Sequence, residues 1–245
     1  MLESPATVDA LRATGDVHLW TVALDGEALR QEEYWQTLAE DERKRAERFH
    51  FVRDRERYVR ARGRLRSLLG EYLSQDPANV QFSYGPQDKP AVEGGLQFNL
   101  AHSGSYALYA FSFGKRVGMD IEQLRPMDDA EALAQRFFSP EECRDLISLP
   151  ADQRNAAFFA CWTRKEAFVK AVGGGLALPL KSFRVSLLPG EEVCLLKNDN
   201  GGKWTLFDVH PAAGYRGAVV VEGGECQLVP MENKFGRKEK SAQDF

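Results

Sequence analysis

The 245-residue chain is poor in the residues that build covalent or metal-based scaffolds, with four cysteines and four histidines. Cys143, Cys161, Cys194 and Cys226 form no Cys-x-x-Cys pair, and none has a histidine at zinc-ligand spacing. That excludes a zinc ribbon and predicts free thiols in a reducing cytosol. His18, His50, His102 and His210 are scattered, which argues against a histidine-based metal centre. No apolar run approaches the ~18 residues of a membrane span. The opening Met1-Leu2-Glu3-Ser4-Pro5 lacks the basic-then-apolar order of a secretion signal. A cytoplasmic protein without a membrane partner is the expectation. No Gly-x-Ser-x-Gly elbow is present either.

The apolar share, 43%, is sufficient for a sizeable core. The formal net charge of −4 hides a lopsided distribution. Residues 43–66 hold eleven Lys or Arg against three Asp or Glu, a local net of +8, so the rest carries −12. A concentrated positive segment on an acidic chain points to a discrete anionic ligand.

Periodicity and caps predict a strand over 17–24, a helix over 29–49 and a second over 54–73. The second helix has an apolar stripe of Tyr58, Leu65, Leu68, Leu69 and Tyr72. A short strand at 80–84, a loop at 85–90 and a strand at 96–100 follow. Residues 105–113 and 116–122 read as a hairpin about Gly114-Lys115. A helix covers 128–137. Another opens with Ser139 as cap, Pro140 at the first helical position and an acidic first turn. A long helix over 154–172 stops at Gly173-Gly174-Gly175. Strand-like stretches follow at 183–188, 192–196, 204–209, 215–221 and 226–229, and a polar tail from 231 reads as disordered. The order strand, helices, strands thus occurs twice. It predicts an α+β fold of two similar halves, residues 1–114 and 115–230, with a tail over 231–245.

On the strand over 116–122, Gly118, Asp120 and Glu122 share one face. Carboxylates at i and i+2 lie roughly 7 Å apart and can ligate one hard divalent cation. Gly118 beside them would leave room for a ligand. A solvated strand face fits the same pattern. On the long helix, Lys165 and Glu166 project from the apolar arc that holds Phe158, Trp162, Phe168 and Val169. Buried charges require compensation. A metal for Glu166 and an anion or carboxylate for Lys165 would supply it, as would a structural salt bridge among Lys165, Glu166 and the strand acids. Lys170, four residues beyond Glu166, adds a cation at the edge of the arc. Carboxylates with lysines fit Mg²⁺ carrying phosphate oxygens. His102, in the turn Ala101-His102-Ser103-Gly104, is a candidate anion contact or acid/base. Gly173-Gly174-Gly175 follows a helix rather than preceding one, so it reads as a stop and not a phosphate cradle.

In combination these segments resemble the phosphopantetheinyl transferase superfamily, in its surfactin-synthetase-activator branch. The resemblance rests on Phe98-Asn99-Leu100-Ala101-His102-Ser103-Gly104, Val117-Gly118-Met119-Asp120-Ile121-Glu122 and Phe137-Phe138-Ser139-Pro140-Glu141-Glu142. It also rests on Trp162-Thr163-Arg164-Lys165-Glu166-Ala167-Phe168-Val169-Lys170-Ala171 and on Asp88-Lys89-Pro90. It implies a pseudo-dimer of two α+β halves with the active site between them. The implied reaction is transfer of 4′-phosphopantetheine from coenzyme A (CoA) to a serine of an apo acyl or peptidyl carrier protein. Adenosine 3′,5′-bisphosphate is released, as in a holo-[acyl-carrier-protein] synthase, and Mg²⁺ is the metal. It further implies Asp120, Glu122 and Glu166 as metal ligands, and Lys165 and Lys170 against the phosphates. Arg45, Arg57, Arg62, Lys89 and His102 would meet the nucleotide, and Glu166 is the preferred proton acceptor. Ala101 stands where relatives often carry serine, and Glu42 where a relative carries a basic residue. The length favours a monomer, since both halves of the site lie in one chain. Two rivals remain at this point. A nucleic-acid module would use the basic helix but leave Lys165 and Glu166 unexplained. A Mg²⁺-dependent phosphohydrolase would use the same acids.

Overall fold

The computed structural model describes residues 7–25, 30–85, 87, 89–198 and 201–232. The predicted tail, apart from 231 and 232, and Asp88 lie outside the described residues.

The first half runs α1 (Val8–Thr14), β1 (Val17–Ala23), α2 (Gln31–Thr37), α3 (Glu40–Glu47) and α4 (Val52–Leu73). The short strands β2 (Ser83–Tyr84) and β3 (Pro90–Ala91) follow, then β4 (Leu96–Ser103) and β5 (Tyr106–Phe113). The second half runs β6 (Val117–Gln123), α5 (Ala130–Phe137), α6 (Pro140–Ser148) and α7 (Ala151–Val172). It continues through β7 (Arg184–Val185), β8 (Leu195–Lys197), β9 (Trp204–Val209), β10 (Tyr215–Glu222) and β11 (Leu228–Met231).

The two halves repeat one topology. In the first, β1 pairs antiparallel with the second strand of the β4–β5 hairpin, giving the order β1-β5-β4. In the second, β6 pairs in the same way with the β9–β10 hairpin, giving β6-β10-β9. Each half also carries a 22-residue helix, α4 or α7, between its first strand and its hairpin. The last strand does not stay with the half it follows: β11 pairs parallel with β1, on the free edge of the first sheet.

Alternation along the strands explains the layering. Leu19, Leu108 and Ala110 point from the first sheet into a core shared with Val117, Met119, Ile121, Val219 and Val221 of the second. Trp20, Tyr109 and Phe111 point the other way, onto Leu65, Leu68, Leu69 and Tyr72 of α4. Ala218 and Val220 point outward onto α7. The result is four layers, helix, sheet, sheet, helix, with the sheets back to back.

Several expectations change. The predicted hairpin over 105–122 is absent, because β5 and β6 belong to different sheets. Gly114-Lys115 instead carries the chain from one sheet to the other, and the hairpin lies one turn earlier, at β4–β5. The helix expected over 29–49 is two, broken where Leu38 and Ala39 adopt extended backbone and Glu42 closes onto the Ala39 N–H. The strands expected over 80–84, 183–188 and 192–196 shrink to two or three residues. Ser139 does cap α6, with Glu142 returning to its N–H in a capping box. Gly173, at φ 76°, ends α7 in the left-handed conformation that glycine favours. Among the described residues, no helix is long and apolar enough to cross a membrane.

Candidate active site

Two clefts meet at Pro90 and Leu100. The larger, about 860 Å³, lies between β4, the 89–90 turn, α7 and the stretch 173–181. Its floor holds Glu166 and Lys170, and its apolar walls include Phe137, Trp162, Leu178 and Leu180. The smaller, about 260 Å³, is lined by Arg45, Arg62 and His102 with Tyr58 and Tyr84.

The acids are gathered by the packing of β6 on α7. Gly118, Asp120 and Glu122 all face that helix. A Cβ on Gly118 would stand 2.2 Å from both Ala167 O and Ala171 N. The space beside the carboxylates is thus filled by α7 itself and not by a ligand, contrary to expectation. This close approach sets Glu166 and Lys170 beside the strand acids.

Lys170 Nζ lies 2.6 Å from Asp120 Oδ1. Asp120 is buried, and its Oδ2 has no hydrogen-bond partner. Burial raises its pKa to about 6, with Glu122 and Glu166 adding to the rise and Lys170 opposing it. Burial also raises Glu166, again against the pull of Lys170 and with the push of Glu122. Glu122 accepts a bond from Ser103 Oγ at 3.1 Å, and Arg125 stands 3.9 Å away. As the side chains stand, no three His, Cys, Asp or Glu among the described residues are grouped to hold a metal ion. Asp120 Oδ1 is instead paired with the Lys170 ammonium. The donor set itself fits a hard cation: three carboxylates from two elements, one presenting a buried oxygen with no partner.

His102 sits at the rim. Desolvation, then the charges of Lys170, Arg45 and Arg57, lower its pKa, so it is neutral at pH 7. Arg62 enters the smaller cleft held on two sides, by Glu42 through Nε and by Tyr84 Oη at 3.1 Å, and stacks over Phe82. Arg45 is exposed and lies over the ring of Tyr58.

Three expected phosphate contacts are engaged elsewhere. Arg57 makes a two-pronged pair with Asp25, at 2.8 and 2.7 Å, which holds that carboxyl down at about 2. Lys89 donates to the carbonyls of Val117 and Lys170, at 2.8 and 2.9 Å. It ties the 89–90 turn to β6 and α7, and burial lowers its pKa to about 8. Lys165 is fully enclosed and bonded to Glu142 at 2.8 Å, on the side of α7 away from the acids. The salt bridge considered for it, with Glu166 and the strand acids, is not formed; its carboxylate partner is Glu142 of α6, which periodicity did not single out.

The basic segment is likewise more structural than expected. Arg43 donates to the carbonyls of Trp35 and Gln36, and Arg60 to Leu24. Arg62 and Arg66 share the buried carboxylate of Glu42. Arg64 pairs with Glu71. Asn99, which sequence reasoning did not assign a role, accepts the Met119 N–H at 2.8 Å and joins β4 to β6. A polar residue between Phe98 and Leu100 on a predicted strand was the available signal.

Buried Asp120 beside the half-buried Glu122, Glu166 and Lys170, next to a second cleft lined with arginine and histidine, is an arrangement whose chemistry suits phosphate esters. Residues 116–220 match the 4′-phosphopantetheinyl transferase superfamily, and residues 30–113 match the 4′-phosphopantetheinyl transferase N-terminal family. The chain is 41% identical over 213 residues to the 4′-phosphopantetheinyl transferase HetI of Nostoc sp., covering 85% of this chain and 88% of that one. It is 30% identical over 190 residues to the 4′-phosphopantetheinyl transferase Sfp of Bacillus subtilis, covering 77% and 84%. A holo-[acyl-carrier-protein] synthase structure from Thermotoga maritima superposes with a TM-score of 0.36 at 23% identity, over 44% of this chain and 63% of that chain. The chain belongs to the 4′-phosphopantetheinyl transferase superfamily, as its motifs implied, and is an enzyme of that class.

Proposed function

We propose that the two clefts form one CoA site. The nucleotide occupies the smaller cleft against Arg45, Arg62 and His102, and the phosphopantetheine arm runs past the acids into the larger. The carrying observation is the convergence of Asp120 and Glu122 from β6 with Glu166 and Lys170 from α7, the latter two lining the larger cleft. The reaction transfers phosphopantetheine to a serine of an apo acyl or peptidyl carrier protein.

Asp120, Glu122 and Glu166 would hold Mg²⁺, which when bound offsets the pyrophosphate charge. Lys170 then leaves Asp120 for the phosphate and stabilises charge that grows during transfer. The carrier serine oxygen attacks the β-phosphorus, the bond to the bridging oxygen breaks, and adenosine 3′,5′-bisphosphate departs. Glu166 receives the serine proton on a carboxylate oxygen. Neutral His102 donates one hydrogen bond to the nucleotide end. The apolar walls at Phe137, Trp162 and Leu178 shelter the arm from water. The enzyme acts as a monomer in the cytoplasm, with neither nucleic acid nor membrane as a partner. The four free cysteines are consistent with a reducing compartment.

Incubation with CoA, Mg²⁺ and several apo carrier proteins tests this by intact mass. The expected result is one phosphopantetheine added to the carrier, abolished by a chelator. CoA cleavage without a carrier would favour the phosphohydrolase instead. No adduct on any carrier, beside an active control enzyme, would overturn the proposal.

A further inference from the structure

Two neighbours on α7 have opposite surroundings. Glu166 faces the large cleft. Lys165, about 100° further round the helix, has no exposed surface. Its ammonium uses three hydrogens: one on Glu142 at 2.8 Å, one on the Leu180 carbonyl at 2.8 Å and one on the Phe183 carbonyl at 2.7 Å. The Phe183 ring lies 4.4 Å from it. Glu142, equally enclosed, accepts the Ser139 N–H and the Val185 N–H, each at 2.8 Å. One ion pair therefore joins the start of α6, the middle of α7 and the stretch 180–185. Leu178, Pro179, Leu180 and Lys181, at the head of that stretch, form one wall of the large cleft.

We propose that Lys165 is a positioning residue, which fixes the 178–181 wall through Glu142 and the two carbonyls and makes no contact with donor phosphates. All of its donors are used, on Glu142, on the Leu180 carbonyl in the wall and on the Phe183 carbonyl just beyond it, and none reaches Asp120, Glu122 or Glu166. The inference rests on the reading of the cleft as the transferase site. It reverses the phosphate role that the position of Lys165 beside Glu166 invites.

The test compares the parent with Lys165→Met and with the double variant Lys165→Met, Glu142→Leu, which removes both buried charges. Hydrogen exchange at residues 178–183 reads the wall directly, without activity. In Lys165→Met it should quicken by at least about ten-fold, while CoA affinity by calorimetry stays within about two-fold of the parent. The kcat/KM for transfer should fall in the single variant and recover to within about ten-fold of the parent in the double. Should the single variant fail to fold, the double carries the test. Unchanged protection at 178–183, together with at least about a ten-fold loss of CoA affinity in either folded variant, would overturn the proposal. Failure of the functional reading would show differently, as absence of CoA binding by the parent, with the exchange result still deciding whether Lys165 holds the wall.

Discussion

Gly118→Ala is a small change with a large expected effect. The new Cβ would lie 2.2 Å from two backbone atoms of α7, where ordinary contact begins near 3.4 Å. Neither atom belongs to a side chain that can swing aside, so α7 must withdraw by about 1.2 Å or β6 must bend. Overpacking of this kind costs about 1–3 kcal/mol, and rigid backbone on both sides places it at the upper end. The same shift moves Glu166 and Lys170 away from Asp120 and stretches the 2.6 Å contact between them. Misplacement by about 1 Å lowers turnover by about 10²-fold. The expected result is a fall of roughly that size in kcat, with urea unfolding shifted by about 3 kcal/mol. Gly114→Ala is the control. Gly114 has φ +67° and nothing within 4 Å of a built Cβ. Alanine there should cost about 1–2 kcal/mol of backbone strain and leave turnover unchanged. A Gly118→Ala enzyme with parental kcat and parental stability would refute the packing account of how the acids are assembled.

Asp120→Ala and Glu166→Gln should each nearly abolish transfer while leaving circular dichroism unchanged; activity close to the parent would contradict their roles. Arg62→Ala should raise the KM for CoA with little change in kcat, since its contact would be equal in ground and transition states; a fall in kcat alone would argue against a binding role. Glu42→Ala leaves Arg62 and the buried Arg66 without their shared carboxylate. It should cost about 3–5 kcal/mol in urea unfolding, and a neutral outcome would show that Arg66 finds other compensation. His18 is buried, with Trp20 Nε1 donating to Tyr72 Oη at 3.1 Å and His18 Nδ1 sharing a hydrogen bond with the same oxygen at 2.8 Å. Burial lowers its pKa, so the unfolded chain binds the proton more readily. Stability should therefore fall as pH drops below about 6.5, by up to about 1.4 kcal/mol per pH unit until the folded-state value is passed. A His18→Asn variant with the same pH slope would remove histidine from that account.

The repeat of two halves was legible because it is written in element order, and the strand acids because alternation fixes which residues share a face. The hairpin misassignment shows the limit. Gly114-Lys115 has ordinary turn chemistry, and only long-range pairing of β6 with β10 decides that the chain changes sheets there. Lys165 shows another. A helical wheel places a charge on a buried arc but cannot name its partner, and Glu142 comes from a different helix. The arginines mislead for the same reason: charge counts do not distinguish a guanidinium facing solvent from one whose donors are used by Leu24, Pro77 or Glu42. Gly118 was noticed, but the emptiness it implies is filled from the other side by helix backbone.

The return of β11 to β1 has a consequence for dissecting the molecule. A cut between β5 and β6 would not release two self-sufficient halves. The first fragment would expose the unpaired edge of β1, which templates association, and the second would carry the strand that fits it. Co-produced fragments should reassemble through that strand as a built-in tether. The second half thereby guards the solubility of the first.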